Sequence, residues 1–370
     1  MVNLGSSKDK GKVSVVVTFC NLDNVAGRML NSLVNQSYKN LEIVCVNDNS
    51  TDKTLEILNE FAKNDDRVVV INNKENCGAS KSRNIGIDNA TGKFLIVVDG
   101  DDEMLLDGIE NMVNAFGDKT DCVVAGFKQV SQDGTINMMM PEEKISGSPK
   151  NEEFFETLMR YSNQSDVGCY TRMYLREKYK ARYKEGCNYG EHLLVAMQNL
   201  EYLDNITMLP MVVYNYSPFP YPRHSMSGDN KGKEFDLMKQ VVPEIQDVTK
   251  SMFPNNKYLA YLSGFYLITS IFMTARSLQE MGKSNEEVEN TITTYLNDDM
   301  VQELVEGLET KTVQDESVAG IVSNKNSKAV INEILECHTN SEFMGHQSAT
   351  NVGRVIVNLL APTINRGYWL

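Results

Sequence analysis

Several signatures are missing from this chain, and each absence narrows what it can be. The seven cysteines (Cys20, Cys45, Cys77, Cys122, Cys169, Cys187, Cys337) form no C-x-x-C pair. That speaks against a structural zinc site or a disulfide framework and for a reducing compartment, so a cytoplasmic location is expected. Positive charge is in deficit: 36 Lys and Arg stand against 50 Asp and Glu, a net charge of −14. So acidic a chain has no general affinity for nucleic acid or anionic lipid, although one metal-bearing or locally positive site could still hold a small anion. The first strand–helix turn lacks G-x-G-x-x-G, which makes a Rossmann dehydrogenase a poor reading. The opening M-V-N-L-G-S-S-K-D-K-G-K has no apolar core of the signal-peptide kind and is expected to be a flexible lead-in over residues 1–12. Long apolar runs are scarce too. Tyr258 to Ala275 carries no charge, but it is diluted by Ser263, Gly264, Thr269 and Ser270 and is shorter than the about 20 apolar residues a spanning helix needs. A buried or subunit-interface helix is expected there, and nothing supports peripheral membrane contact.

What the chain does have is alternation. At 370 residues it is long for one core, so two structural units are expected. Val13–Phe19 is a continuous β-branched run, a strand buried on both faces. Val25–Gln36 spaces Met29, Leu30, Leu33 and Val34 as a helical stripe. Strands are predicted at Leu41–Val46, Arg67–Asn72 and Lys93–Val98, with helices at Thr51–Lys63 and Ser80–Ala90. Such alternation predicts a parallel sheet covered by helices, an α/β doubly wound layout whose ligands bind at the carboxyl ends of the strands. Those ends read Thr18-Phe19-Cys20-Asn21, Asn47-Asp48-Asn49-Ser50, Asn76-Cys77-Gly78 and Asp99-Gly100-Asp101-Asp102. Further helices are predicted at Leu105–Phe116, Glu152–Arg160, Thr171–Lys178 and Tyr189–Leu200, with a strand at Cys122–Phe127 and a Met-rich hairpin or loop after it. Beyond Asn230 strand signals largely vanish and amphipathic helical patterns run to about Leu360.

Between Phe94 and Glu103 the chain reads F-L-I-V-V-D-G-D-D-E. Asp99, Asp101 and Asp102 fall within four positions and repel one another unless a positive charge sits among them. A D-x-D pair at a strand end suits Mg²⁺ or Mn²⁺, which takes one or two carboxylates plus substrate phosphates. The alternative is that these aspartates cap the following helix.

The strand ends taken together resemble those of family 2 glycosyltransferases, which have the GT-A fold. V-S-V-V-V-T-F-C-N, N-L-E-I-V-C-V-N-D-N-S-T-D, K-E-N-C-G-A-S-K-S-R-N and F-L-I-V-V-D-G-D-D follow one another over residues 13–130, with weaker matches through Y-G-E-H-L-L and Y-N-Y … R-H-S-M-S to about residue 228. The resemblance implies a GT-A domain over residues 13–230 and leaves a helical region, 231–370, for acceptor, partner or oligomer contacts. It implies an inverting, metal-dependent hexosyl- or N-acetylhexosaminyltransferase that uses a UDP-sugar and acts on a bacterial glycan or a glycoprotein. Thr18, Phe19 and Asn21 would flank the nucleotide base, and Asp48 would hydrogen-bond uracil, with Ser50, Thr51 and Asp52 capping the next helix. Gly78, Ser80, Arg83 and Asn84 would approach the nucleotide, while Asp99 would contact the ribose. Asp101, with Asp99, would hold Mn²⁺ or Mg²⁺ on the diphosphate, and Asp102 would orient the site or line the sugar pocket. Arg223, His224 and Ser225 would reach the donor phosphates from a loop rich in proline.

The chain departs from the pattern where the catalytic base is expected. Relatives open a helix with Gly-Glu-Asp, whereas this chain has Gly190-Glu191-His192. Neighbours on a helix point about 100° apart, so Glu191 does not simply stand in for the missing aspartate. Three readings stay open: His192 as base, since an unperturbed imidazole titrates near neutrality; Glu191 after a small shift; or a catalytically weak nucleotide-sugar-binding subunit that supports a partner enzyme. The first strand also ends T-F-C-N where relatives often have P-x-Y-N.

Overall fold

The computed structural model describes residues 10–130, 136–165, 171–187, 189–216 and 230–309. The greater part of the expected lead-in, the segment with Arg223, His224 and Ser225, and the helical patterning past residue 309 lie outside the described residues.

The β-branched runs form β1 (Val13–Phe19), β2 (Leu41–Asn47), β3 (Val68–Asn72) and β4 (Phe94–Asp99). They pair in parallel in the order β3-β2-β1-β4, linked by α1 (Ala26–Val34), α2 (Thr54–Asn64) and α3 (Ala79–Asn89). Val13, Val15, Val17 and Phe19 share a core with Met29, Leu30 and Leu33 of α1, the burial that the helical stripe requires.

After β5 (Glu103–Met104), α4 (Gly108–Ala115) leads to β6 (Cys122–Val130), β7 (Ile136–Met139) and β8 (Ile145–Gly147), and then α5 (Glu152–Ser165) leads to β9 (Arg172–Leu175), α6 (Glu191–Leu200) and β10 (Ile206–Tyr216). The sheet continues from β4 through β9, β6 and β10 to β5. β9 is antiparallel to both its neighbours, β10 is parallel to β6, and β7 forms the antiparallel partner of β6 expected of the Met-rich stretch. The layout is α/β, with a parallel half and a mixed half.

Two elements differ from expectation. Arg172–Leu175 is a strand followed by one 3₁₀ turn, Arg176–Lys178, rather than a helix, because β4 and β6 both offer it a ladder and pairing overrides local preference. The helix expected from Leu105 starts at Gly108. Leu105 N–H is taken by the Val213 carbonyl (2.9 Å) and its carbonyl by the Gln36 amide (2.7 Å), so that backbone belongs to the sheet edge.

The chain divides into two compact units, whose described residues are 10–130, 136–155, 171–187 and 191–216 in the first, and 156–165, 189–190 and 230–309 in the second. The second unit contains helices α7 (Glu234–Lys239), α8 (Val242–Met252), α9 (Lys257–Ser263), α10 (Phe265–Glu280), α11 (Asn285–Leu296) and α12 (Asp299–Glu309). Val242, Ile245, Leu267, Ile271, Val288, Ile292 and Leu304 are buried, Phe235 stacks on Tyr295 at 4.0 Å, and a Ser284–Glu287 capping box opens α11. The uncharged stretch is two helices broken at Gly264, where a Cβ would stand 2.5 Å from Leu304 Cδ2. Among the described residues no helix is long and apolar enough to cross a membrane.

Candidate active site

The carboxyl ends of β1, β2 and β4 form one rim, and most side chains there are already engaged with protein. Asn21 and Asn49, both at φ 53°, turn the chain sharply past β1 and β2. The Asn21 side-chain Oδ1 accepts from Thr51 N–H (2.8 Å) and its backbone N–H donates to Ser50 Oγ (3.0 Å), so Asn21 braces two loops. Asp52 accepts from Thr54 N–H (2.9 Å) and Asp23 N–H (3.0 Å). It contributes to starting α2, but the cap position itself is Lys53.

Asp48 is 3% exposed and organises the loop between β3 and α3. Its Oδ1 accepts from Cys77 N–H and Asn73 Nδ2 (both 2.9 Å), and its Oδ2 from Gly78 N–H (2.8 Å). Burial alone would raise its carboxyl, but these hydrogen bonds outweigh it and hold the group below the usual carboxylate range. Gly78, at φ 85°, makes the turn into α3 in a conformation other residues avoid.

The residues expected beside the nucleotide separate into scaffold and rim. Phe19 is 1% exposed and belongs to the core, and Thr18 is buried, so their side chains do not flank an open base site. Ser80 Oγ donates to the Cys187 carbonyl (3.0 Å), while Asn84 exchanges two hydrogen bonds with the Tyr183 backbone (2.8 and 2.9 Å). Both anchor the segment 183–187 instead of reaching toward a ligand.

The acidic turn is built by close approach. A Cβ on Gly100 would meet the Phe19 ring at 2.5 Å and the Thr18 carbonyl at 2.6 Å, so only glycine lets the turn lie against the end of β1. Asp99 and Asp101 are half-buried at the rim. Asp102 is fully buried, and its Oδ2 accepts from the Tyr214 hydroxyl (3.0 Å). Its carboxylate therefore lies inside the fold against Tyr214, apart from the half-buried Asp99 and Asp101. None of the three caps α4, whose N-cap is Asp107. Burial first, then the Asp102 carboxylate, pushes the Tyr214 phenol well above its ordinary value, so it remains a donor. Arg28 of α1 donates to the Asp101 carbonyl. Neither Arg28 nor Tyr214 stands out in the sequence as part of the acidic turn, although Y-N-Y is a visible motif.

Arg83 joins the rim to α6. It is 6% exposed, and its fork reaches Asp99 Oδ1 (2.9 Å) with one nitrogen and Glu191 Oε1 (3.1 Å) with the other. Its guanidinium also lies 5.2 Å from the Tyr183 ring centroid. His192 faces differently. Its ring stands edge-on to Tyr183 at 5.6 Å and lines a small, partly open pocket with Val97, Arg172, Tyr174 and Val195. Val97 and Asp99 leave the same face of β4, and the His192 side chain, 23% exposed, is about as open to solvent as that of Asp99.

Residues 14–182 match the family model described as glycosyl transferase family 2. The chain carries a family 2 glycosyltransferase domain. Glycosyltransferase GlyA of Streptococcus pneumoniae is 42% identical over 101 residues, 27% of this chain and 14% of that protein. A putative teichuronic acid biosynthesis glycosyltransferase of Bacillus subtilis, TuaG, is 29% identical over 171 residues, 46% of this chain and 64% of its own length. The chain thus spans 14% to 64% of these relatives. The crystal structure of Staphylococcus aureus TarS 1–349 in complex with UDP-GlcNAc superposes with a TM-score of 0.60 at 18% identity, over 97% of this chain and 93% of that one. At that identity it shows the shared GT-A fold.

Within the family 2 domain, the donor set at the acidic turn fits a divalent cation. Hard carboxylate oxygens of Asp101 and Asp99 stand half-exposed where β4 ends. No group of three or more His, Cys, Asp or Glu that could hold a metal is found among the described residues. One or two carboxylates suit Mg²⁺ or Mn²⁺, which complete their shells with water and phosphate oxygens.

Proposed function

We propose that the chain is an inverting glycosyltransferase that moves a sugar from a UDP-sugar to a hydroxyl of a bacterial glycan or glycoprotein. One observation carries the reading. The Arg83 fork joins Asp99, at the end of β4, to Glu191, at the opening of α6, so the donor rim and the residue opposite it are held by one side chain.

In this reading Asp48 and its loop receive the base, Asp99 the ribose, and Asp101 with Asp99 a divalent ion, which when bound neutralises the departing diphosphate. The acceptor oxygen bonds to the anomeric carbon from the face opposite the diphosphate. As that bond forms, the bond from carbon to the diphosphate oxygen breaks, and the acceptor proton passes to a base. Glu191 is that base in our reading. His192 Nε2 stands 3.4 Å from Glu191 Oε1 and its ring packs against Tyr183, so in this reading it supports Glu191. Arg223, His224 and Ser225 complete the phosphate contacts, the region 231–370 supplies acceptor, partner or oligomer contacts, and the cysteine usage favours the cytoplasm.

A second reading has its own support: Glu191 is 8% exposed and ion-paired, as suits a weakly active nucleotide-sugar-binding subunit. Calorimetric titration with UDP, in Mn²⁺ and in EDTA, followed by turnover of UDP-sugars, separates them. Tight Mn²⁺-dependent binding with turnover supports the enzyme, binding without turnover supports the subunit, and absence of binding sinks both.

A further inference from the structure

The Y-N-Y motif at the end of β10 has no role in the reaction as described, yet it touches the acidic turn at two points. Tyr214 is fully buried. Its hydroxyl donates to Asp102 Oδ2 (3.0 Å) and accepts from Asp99 N–H (3.3 Å). One phenol therefore braces the first residue of the D-G-D-D turn against the last. Beside it, Asn215 Nδ2 donates to Glu103 Oε2 (3.0 Å), and the ladder sets Tyr214 opposite Met104 and Asn215 opposite Glu103. The turn is held from the other side by Arg28 on the Asp101 carbonyl and by Ser32 Oγ, which accepts from Met104 N–H (3.1 Å). Asp101 sits in the middle of this frame, with its own carboxylate at the rim.

We propose that Tyr214 is a positioning residue for the cation-binding turn: by tying Asp99 N–H to the Asp102 carboxylate, its hydroxyl sets where the Asp101 carboxylate stands. Asp102 then serves as the far anchor of the brace and is not a ligand. A turn of four residues with three carboxylates has reason to open, since the charges repel. A hydrogen bond from a buried neutral phenol satisfies the most buried of the three without neutralising the two at the rim.

The inference rests on the nucleotide-sugar reading above, and its test keeps the two apart. Binding of MnCl₂ is measured by electron paramagnetic resonance at saturating UDP, and binding of UDP alone is measured in EDTA. In Tyr214→Phe, Mn²⁺ affinity falls about tenfold, a change of about 1.4 kcal/mol, while UDP binding in EDTA stays within twofold. Asp102→Asn keeps an oxygen that can accept from the phenol, so it loses at most about threefold, whereas Asp101→Asn loses the Mn²⁺-dependent component altogether. Adding Asp102→Asn to Tyr214→Phe lowers affinity little further, because the brace is already gone. Unchanged Mn²⁺ affinity in a folded Tyr214→Phe protein overturns the proposal. So does an Asp102→Asn loss as large as that of Asp101→Asn, which would make Asp102 a ligand, and that arm decides even if Tyr214→Phe fails to fold. Wild type that binds UDP in neither condition overturns the underlying reading instead.

Discussion

Replacing Arg83 by methionine is the sharpest perturbation of the site. The side chain is 7% exposed and touches two carboxylates, Glu191 at 10% and Asp99 at 24% side-chain exposure. Methionine fills much the same volume, so the change removes charge with little cavity. Removing one partner from a buried ion pair costs about 3–5 kcal/mol, because the remaining charge is left uncompensated in a poor solvent. Asp99 is screened by water to some degree, so Glu191 dominates and the lower end, about 3 kcal/mol, applies. With a urea slope of about 3 kcal/mol/M for a domain of this size, the unfolding midpoint of the first unit drops by roughly 1 M. Lysine at the same position reaches one carboxylate but not both, since it lacks the fork, and lies between wild type and methionine. The decisive arm is Arg83→Met combined with Glu191→Gln: a neutral amide needs no cation, so the double variant is more stable than Arg83→Met alone by about 1–2 kcal/mol. Urea titrations followed by far-ultraviolet circular dichroism read wild type, Arg83→Met, Arg83→Lys, Glu191→Gln and the double variant. An Arg83→Met midpoint within 0.2 M of wild type (roughly 0.6 kcal/mol at that slope), or strictly additive losses in the double variant, would refute the reasoning.

Three further outcomes follow from the packing. Gly100→Ala places a methyl 2.5 Å from the Phe19 ring and 2.6 Å from the Thr18 carbonyl; overpacking of this kind costs about 1–3 kcal/mol, and calorimetry should show both a lower melting temperature and weaker UDP binding. Asp48→Asn puts an amide where two backbone N–H groups need acceptors, so UDP affinity falls about tenfold, the scale of one lost charge-assisted hydrogen bond. The sign of its pH dependence is set by the depressed Asp48 carboxyl: the stability it contributes is present above the unfolded carboxylate value of about 3.9 and is lost as pH falls through the folded value. The stability gap between wild type and Asp48→Asn therefore narrows below about pH 4, as acid titration of urea midpoints would show. In the second unit, Gly264→Val drives its side chain into Leu304 and Gln246 and costs about 1–3 kcal/mol, while UDP binding by the first unit persists.

The parallel half of the sheet was legible because Val13–Phe19 is rich in β-branched residues, Phe94–Val98 is an unbroken apolar run and the helices between them carry a 3.6-residue stripe, and the rim followed from where those runs stop. β9 was not, since R-M-Y-L has no strand period of its own and becomes a strand through β4 and β6. Side-chain direction was the larger gap. Ser80, Asn84 and Asn21 occupy positions at the rim yet spend their polar atoms on neighbouring loops, and Asp102 turns inward to Tyr214, more than a hundred residues away in sequence. A motif locates a residue along the chain; the partner that decides its orientation belongs to another element. The Glu191–His192 ambiguity had the same origin, since neither the Arg83 fork on Glu191 nor the Tyr183 ring beside His192 is visible along the chain.

The most direct measurement is the release of UDP from a panel of UDP-sugars in Mn²⁺, compared across wild type, Glu191→Gln and His192→Phe at equal folded concentration. The account predicts turnover by wild type with at least one donor, a loss of about a hundredfold or more in Glu191→Gln, as expected for a general base, and a smaller loss in His192→Phe. Turnover that survives Glu191→Gln and disappears in His192→Phe would contradict it.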